Sequence, residues 1–232
     1  FCYAIGFVTN LVVPGGLDSN PTSSLGYAIL MNVGMLVLFA LQHSVMARPV
    51  FKKWWTTIVP EPLERSTYVL LSSVCMILLF IYWQPIGGIV WSVESEMAYL
   101  ILTGISLLGF GIVLVSTFLI NHFDLFGLRQ VWLHFIGKPY TQLPFKTPFF
   151  YKYVRHPLYL GWMIAFWAAP TMTVAHFLFA VICTGYMLTA IRFEERDLIQ
   201  VFGDQYIRYK QMAPMLIPFS KKKKVGIPAS SL

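Results

Sequence analysis

Apolar residues run along this chain in long blocks, with the polar residues gathered between the blocks rather than alternating with them. Residues 1–13 form the first block, closed by Pro14-Gly15-Gly16, and residues 25–46 the second, closed by Arg48-Pro49. The third covers 68–83 and ends at Pro85 and Gly87-Gly88, the fourth covers 97–120, and the fifth runs from 158 to about 193. A helix of about 20 apolar residues crosses the hydrocarbon of a bilayer, so the fifth block is too long for one crossing. Pro170 and the polar run TMTVAH at 171–176 divide it, which predicts a helical hairpin. The pattern predicts an all-α integral membrane protein of about five to six transmembrane helices, with that hairpin at its C-terminal end. The first helix is expected to be partial, since Phe1 opens straight into apolar sequence with neither Met nor a basic stretch ahead of it.

Composition agrees: 57% of the 232 residues are hydrophobic and 12% are charged, where a soluble domain is about a quarter charged. Cys2, Cys75 and Cys183 are scattered through apolar blocks without metal-ligand spacing, so they read as buried free thiols rather than a disulfide framework. The net charge of +7 leaves nucleic acid open as a partner until the cations are placed. All 17 Lys and Arg fall in residues 47–67, in 121–157, or from Arg192 onward. The opposite loops carry none, only Asp18, Glu94 and Glu96. Cytoplasmic loops hold the excess of Lys and Arg, so the basic segments are assigned to the cytoplasm and nucleic acid is not needed to explain the charge. Lys221 to Lys224 read as a lipid-headgroup contact or a topology signal.

This divides the chain into transmembrane helices one to four (1–120), a cytoplasmic connecting segment (121–157), a transmembrane hairpin (158–193) and a cytoplasmic tail (194–232). His43, His122, His134 and His156 all fall near cytoplasmic boundaries, and only His176 lies toward the other face. His134 and His176 read as structural.

The hairpin begins at Arg155-His156-Pro157 and ends at Glu194-Glu195. Alone, the acidic pair is explained by an ion-pair belt with Arg192 and Arg196 at helical spacing. A hairpin, however, returns both its ends to one face, so the cation-and-imidazole cluster and the acidic pair are expected to meet there. Pro157 suits the first position of a helix, whose free N–H groups bind a carboxylate or phosphate. Gly161, one turn on, would leave room for a flat group or a close backbone. Such a mouth offers donors for an anion and acceptors for ribose hydroxyls, an amino group or a sulfonium, the groups of S-adenosylmethionine.

The residues Arg155-His156-Pro157-x-Tyr159-x-Gly161, then Glu194-Glu195, then Tyr206, Tyr209 and Pro214 closely resemble the pattern of the isoprenylcysteine carboxyl methyltransferase and phospholipid N-methyltransferase superfamily. The resemblance covers about residues 150–219. It implies a cytoplasmic S-adenosylmethionine site made by Arg155, His156, Pro157, Tyr159, Gly161, Glu194, Glu195 and Tyr206. NHFDLFGLRQVW at 121–132, with FALQHSVMARPVFKKWW and PEPLERSTYVL upstream, narrows the match to the bacterial methanethiol S-methyltransferase and NnrU-like family. That family's reaction moves a methyl group from S-adenosylmethionine to methanethiol, giving dimethyl sulfide, and implies a bacterial inner-membrane location.

Methyl transfer from a sulfonium is an in-line displacement that needs no metal, so none is expected. It needs the thiol sulfur held in line and ionised, because the thiolate is the nucleophile. A general base or an electropositive pocket is therefore expected. His122 is placed to accept the proton, with Asp124 orienting its other nitrogen and Asn121 beside them; helix capping explains Asn121 and His122 equally. Phe123, Leu125, Gln130, Trp132 and Trp162 are expected to line or close a pocket for the small thiol, although packing explains each aromatic as well. His43, inside a membrane segment, is either a substrate contact or a satisfied interhelical hydrogen bond. Glu64 and Arg65 read as loop anchors. Methylation of a lipid or prenylcysteine at the same cofactor site, and a non-catalytic NnrU-like role, are the alternatives.

Overall fold

The computed structural model describes residues 1–218 and Ser220; Lys221 to Lys224 lie outside the described residues. Four helices are long and apolar enough to cross a membrane: Leu25–Met46 (α2), Glu61–Tyr82 (a 3-10 turn leading into α4, Glu64–Tyr82), Glu96–Ile120 (α5) and Val174–Phe202 (α9). The protein is therefore an integral membrane protein built from helices. Among the described residues six shorter α-helices and a 3-10 turn, Phe149–Lys152, complete it: Cys2–Thr9 (α1), Pro49–Trp55 (α3), His122–Leu125 (α6), Leu128–Phe135 (α7), Pro157–Trp167 (α8) and Asp204–Met212 (α10).

Two expected spans are shorter than the apolar pattern suggested. The first block gives only the eight residues of α1, about 12 Å of helix. Asn10 then turns left-handed, and the Leu17 N–H returns to the Phe7 carbonyl. The second half of α1 packs into the bundle, where Phe7 meets Phe80, Trp83 and Phe179. The first limb of the hairpin, α8, has 11 residues, about 16 Å, so it reaches only part of the way across. Its end is held by a two-stranded antiparallel ribbon, Ile89–Ser92 (β1) against Thr171–Thr173 (β2), the one departure from an all-helical chain among the described residues. The TMT of the dividing run is β2, and Thr173 caps α9 by accepting from the His176 N–H at 3.2 Å.

α8 lies against α5 so closely that no side chain fits at the crossing. A Cβ on Gly161 would stand 2.7 Å from the Gly109 carbonyl oxygen, and one on Gly109 would stand 2.6 Å from that of Gly161. Of the two expected uses of Gly161 the structure shows the close backbone: its open side is filled by α5. On the other flank α2 is fixed to the end of α4 by Asn32, whose amide both donates to and accepts from the backbone of Gln84. The interior is lined by α2 and α4 on one side, by α5 and α8 on the other, and by α9. The C-terminal ends of α2, α5 and α9 and the starts of α4 and α8 all lie at the end of the bundle that carries the Lys and Arg residues.

Candidate functional site

At that basic end the hairpin does what its spacing predicts. Arg155 Nε meets Glu195 Oε1 at 2.7 Å and His156 Nε2 meets the same oxygen at 3.2 Å. α9 does not stop at Phe193 but continues three turns beyond the hydrophobic block, so Glu194 and Glu195 sit on a continuous helix. Their partners come from other elements rather than from Arg192 and Arg196 on the same helix.

The two glutamates are not equivalent. Glu195 is buried and takes Arg155, His156 and Lys210, the last at 2.8 Å to Oε2. Arg155 in turn donates through Nη1 to the carbonyls of Lys210 and Ala213, at 3.1 and 2.6 Å. The backbone N–H groups of Arg155 and His156 bond to the carbonyls of Pro214 and Met215. Arg155 and Glu195 thus hold each other and the tail. The Glu194 side chain is 44% exposed, with His156 Nδ1 3.8 Å away and the Tyr159 hydroxyl turned toward it.

Tyr206 is 2% exposed and its hydroxyl has no partner among the described residues. Burial, and after it the Glu195 and Glu194 carboxylates, push its phenol well above the usual range, so it remains a donor. A buried donor without an acceptor is costly. Tyr209, one turn on, is satisfied by the Tyr151 carbonyl at 2.6 Å. Pro157 takes the first position of α8, and no side chain caps that helix. The Tyr206 hydroxyl therefore lies within electrostatic reach of both glutamates, at the end where α8 starts without a cap.

The segment 121–132 forms a second cluster, with different pairings from those expected. Asn121, at φ 136°, caps α6 by accepting from the Asp124 N–H at 3.2 Å. Asp124 turns to Arg129, at 2.9 Å, and to Tyr140. His122 is oriented by Thr117 instead, with Nδ1 and Oγ1 2.8 Å apart. The Thr117 hydroxyl spends its own hydrogen on the Leu114 carbonyl at 2.7 Å. It therefore accepts from Nδ1–H, which leaves His122 Nε2 with a free lone pair. The ring is stacked on Phe118, 4.2 Å between centroids at 7°.

The expected pocket residues separate. Trp132, on α7 with Leu128 and Phe135, is 60% exposed, and Phe123, on α6, is 58% exposed, so neither is enclosed as a pocket wall would be. Gln130 Nε2 donates to the Asp124 carbonyl, while its Oε1 is buried without a partner. The Leu125 carbonyl accepts from Arg65. Trp162 faces inward, edge-on to Phe110 and Phe1. His43 makes the interhelical bonds that were one of its two readings, with Ser72 at 3.2 Å and the Tyr68 hydroxyl at 2.8 Å.

Sequence reasoning missed Thr117, Tyr68 and Lys210. Thr117 lies five residues before His122, one helical turn and a cap away, which is the only signal it leaves. Among the described residues no group of three or more His, Cys, Asp or Glu is placed to hold a metal.

A cavity of about 230 Å³ lies at the opposite end, lined among others by Asn10, Asp18, Thr103, Ser106 and His176. His176 and Glu194 are eighteen residues apart on α9, about 27 Å, so this cavity is separate from the mouth.

No protein-family model matches the chain, and no solved structure does. The chain is 56% identical over 221 residues to the methanethiol S-methyltransferase of Crocosphaera subtropica, covering 95% of this chain and 87% of that protein. It is 50% identical to the methanethiol S-methyltransferase of Mycobacterium tuberculosis, over 94% of this chain and 90% of that one. More distantly it is similar to Nurim of Bos taurus, 29% identical over 79% of this chain and 73% of that protein.

Proposed function

The chain belongs to the methanethiol S-methyltransferase family, and we propose that it moves a methyl group from S-adenosylmethionine to methanethiol, giving dimethyl sulfide. Relatives of that name at 47–56% identity favour the thiol over a lipid or prenylcysteine substrate and over a non-catalytic role. The charge map supports a site that opens to the cytoplasm, in the inner membrane of a bacterium.

The observation that carries the reading is the mouth between α8 and α9: the half-open Glu194 carboxylate beside the unpartnered Tyr206 hydroxyl, at an uncapped helix start. These residues fit S-adenosylmethionine. Glu194 accepts from its hydroxyl or amino groups, Tyr206 donates to it, and the first-turn N–H groups of α8 receive its carboxylate. His156 and Tyr159 flank the same carboxylate. Arg155, Glu195 and Lys210 build the wall behind them. When bound, the cofactor supplies a methyl group made electrophilic by its sulfonium.

The protein's part is to orient the thiol, exclude water and take a proton. His122 Nε2 is the acceptor, with Thr117 holding the tautomer that leaves it free. The apolar bundle collects a small alkanethiol, which partitions readily into hydrocarbon. Gas chromatography of the headspace over the purified protein with S-adenosylmethionine and methanethiol is the direct test. Dimethyl sulfide is the expected product, and its absence would reject the assignment.

A further inference from the structure

Arg65 has a setting that a loop anchor does not require. It lies in the first turn of α4, where the helix dipole disfavours a cation. Its neighbour Glu64 turns away to Lys52, 3.8 Å distant, and among the described residues no carboxylate pairs with Arg65. Nε donates to the Leu125 carbonyl at 2.9 Å, while Nη1 and Nη2 have no acceptor among the described residues. The guanidinium stands 5.8 Å from the centre of the Tyr68 ring, and the Tyr68 hydroxyl bonds His43 in the next helix.

Leu125 closes the single turn of α6 that begins at His122, so Arg65 is bonded to the turn that bears the proposed base. Gly127 makes this contact possible. At φ 80° it lies so close to α4 that a Cβ would stand 2.6 Å from the Ser66 nitrogen. Across the interior, Tyr159, turned toward Glu194, is within electrostatic reach of Tyr68. The cation is therefore bonded to the segment that carries His122 and stands against Tyr68, which is in reach of Tyr159 on α8.

We propose that Arg65 is a catalytic residue whose free Nη–H groups bind the sulfur of the substrate thiolate. The inference rests on the methyl transfer proposed above. An alkanethiol is mostly protonated at neutral pH, and a guanidinium is a fixed positive charge that does not itself deprotonate. At the mouth of an apolar bundle such a charge acts more strongly than in water. In the step itself the thiol proton passes to His122 Nε2. The sulfur electron pair forms the bond to the methyl carbon, and the sulfonium–methyl bond breaks, leaving S-adenosylhomocysteine and a thioether.

The test compares the wild-type protein with Arg65→Gln and Arg65→Lys, using methanethiol and the more acidic trifluoroethanethiol across a pH series. S-adenosylhomocysteine binding by calorimetry serves as the check on fold. Arg65→Gln is expected to keep that binding and to lose about 100-fold in kcat/KM with methanethiol at neutral pH. The deficit shrinks as the pH rises, and is smaller for trifluoroethanethiol, because both supply sulfur already ionised. Arg65→Lys, which keeps the charge, loses less. Equal losses for the two thiols with a parallel pH profile, or loss of cofactor binding, would give Arg65 a scaffold role and overturn the proposal. A wild-type protein that makes no thioether from either thiol would instead sink the methyl-transfer reading, and this proposal with it.

Discussion

Arg155 and Glu195 meet at 2.7 Å, each about nine-tenths buried, across 40 residues of chain. The contact joins the entrance of α8 to the last turns of α9, and Nη1 of Arg155 fastens the end of α10 and the residue after it. Breaking a buried pair leaves an uncompensated charge. Glu195→Ala is therefore expected to cost on the order of 3 kcal/mol of stability, read as a lower thermal midpoint in detergent. An unchanged midpoint would show that the pair is not structural.

Glu194→Gln should behave in the opposite way. Its side chain is largely open, so the thermal midpoint stays near that of the wild type. Affinity for S-adenosylhomocysteine falls by about tenfold or more, as for a charge-assisted hydrogen bond lost, measured by calorimetry. Wild-type affinity would remove Glu194 from the cofactor site.

His122→Ala is expected to keep cofactor binding and to lose about 100-fold in kcat. Thr117→Val should lose part of that rate, because the ring is then free to adopt the wrong tautomer, and Thr117→Ser should restore it. Full activity of His122→Ala at neutral pH would remove the residue from the mechanism. Equal behaviour of the two Thr117 variants would assign that contact to packing alone.

The opposite end of the molecule responds to acid. Burial works against ionisation of Asp18, but the hydrogen bond and charge of His176, with the donors of Thr173, outweigh it and hold the carboxyl below its usual range. A depressed value adds stability above the unfolded value, about 4, and that stability is lost as the pH falls through the lower folded value. Thermal midpoints taken between about pH 6 and pH 3 should therefore fall for the wild type and change less for Asp18→Asn. Parallel curves would refute the linkage.

The mouth was legible because a hairpin is a local device: two apolar limbs and a polar divider are enough to place Arg155 beside Glu195. What the sequence hid depends on partners distant along the chain. Gly161 sits in a motif associated with a cofactor, and only the α5 backbone at Gly109 and Val113 explains its missing side chain. Asp124, two residues from His122, invited a pairing that Arg129 and Tyr140 take up instead.

The tail contacts of Arg155 and His156 also set an order of events in the life of the chain. Lys210, Ala213, Pro214 and Met215 hold Arg155, His156 and Glu195 from behind, and they follow every span in the chain. The spans can be inserted, and α8 and α9 can pair, before these four residues are made. In a growing chain the spans are thus made before the residues that close this end of the bundle.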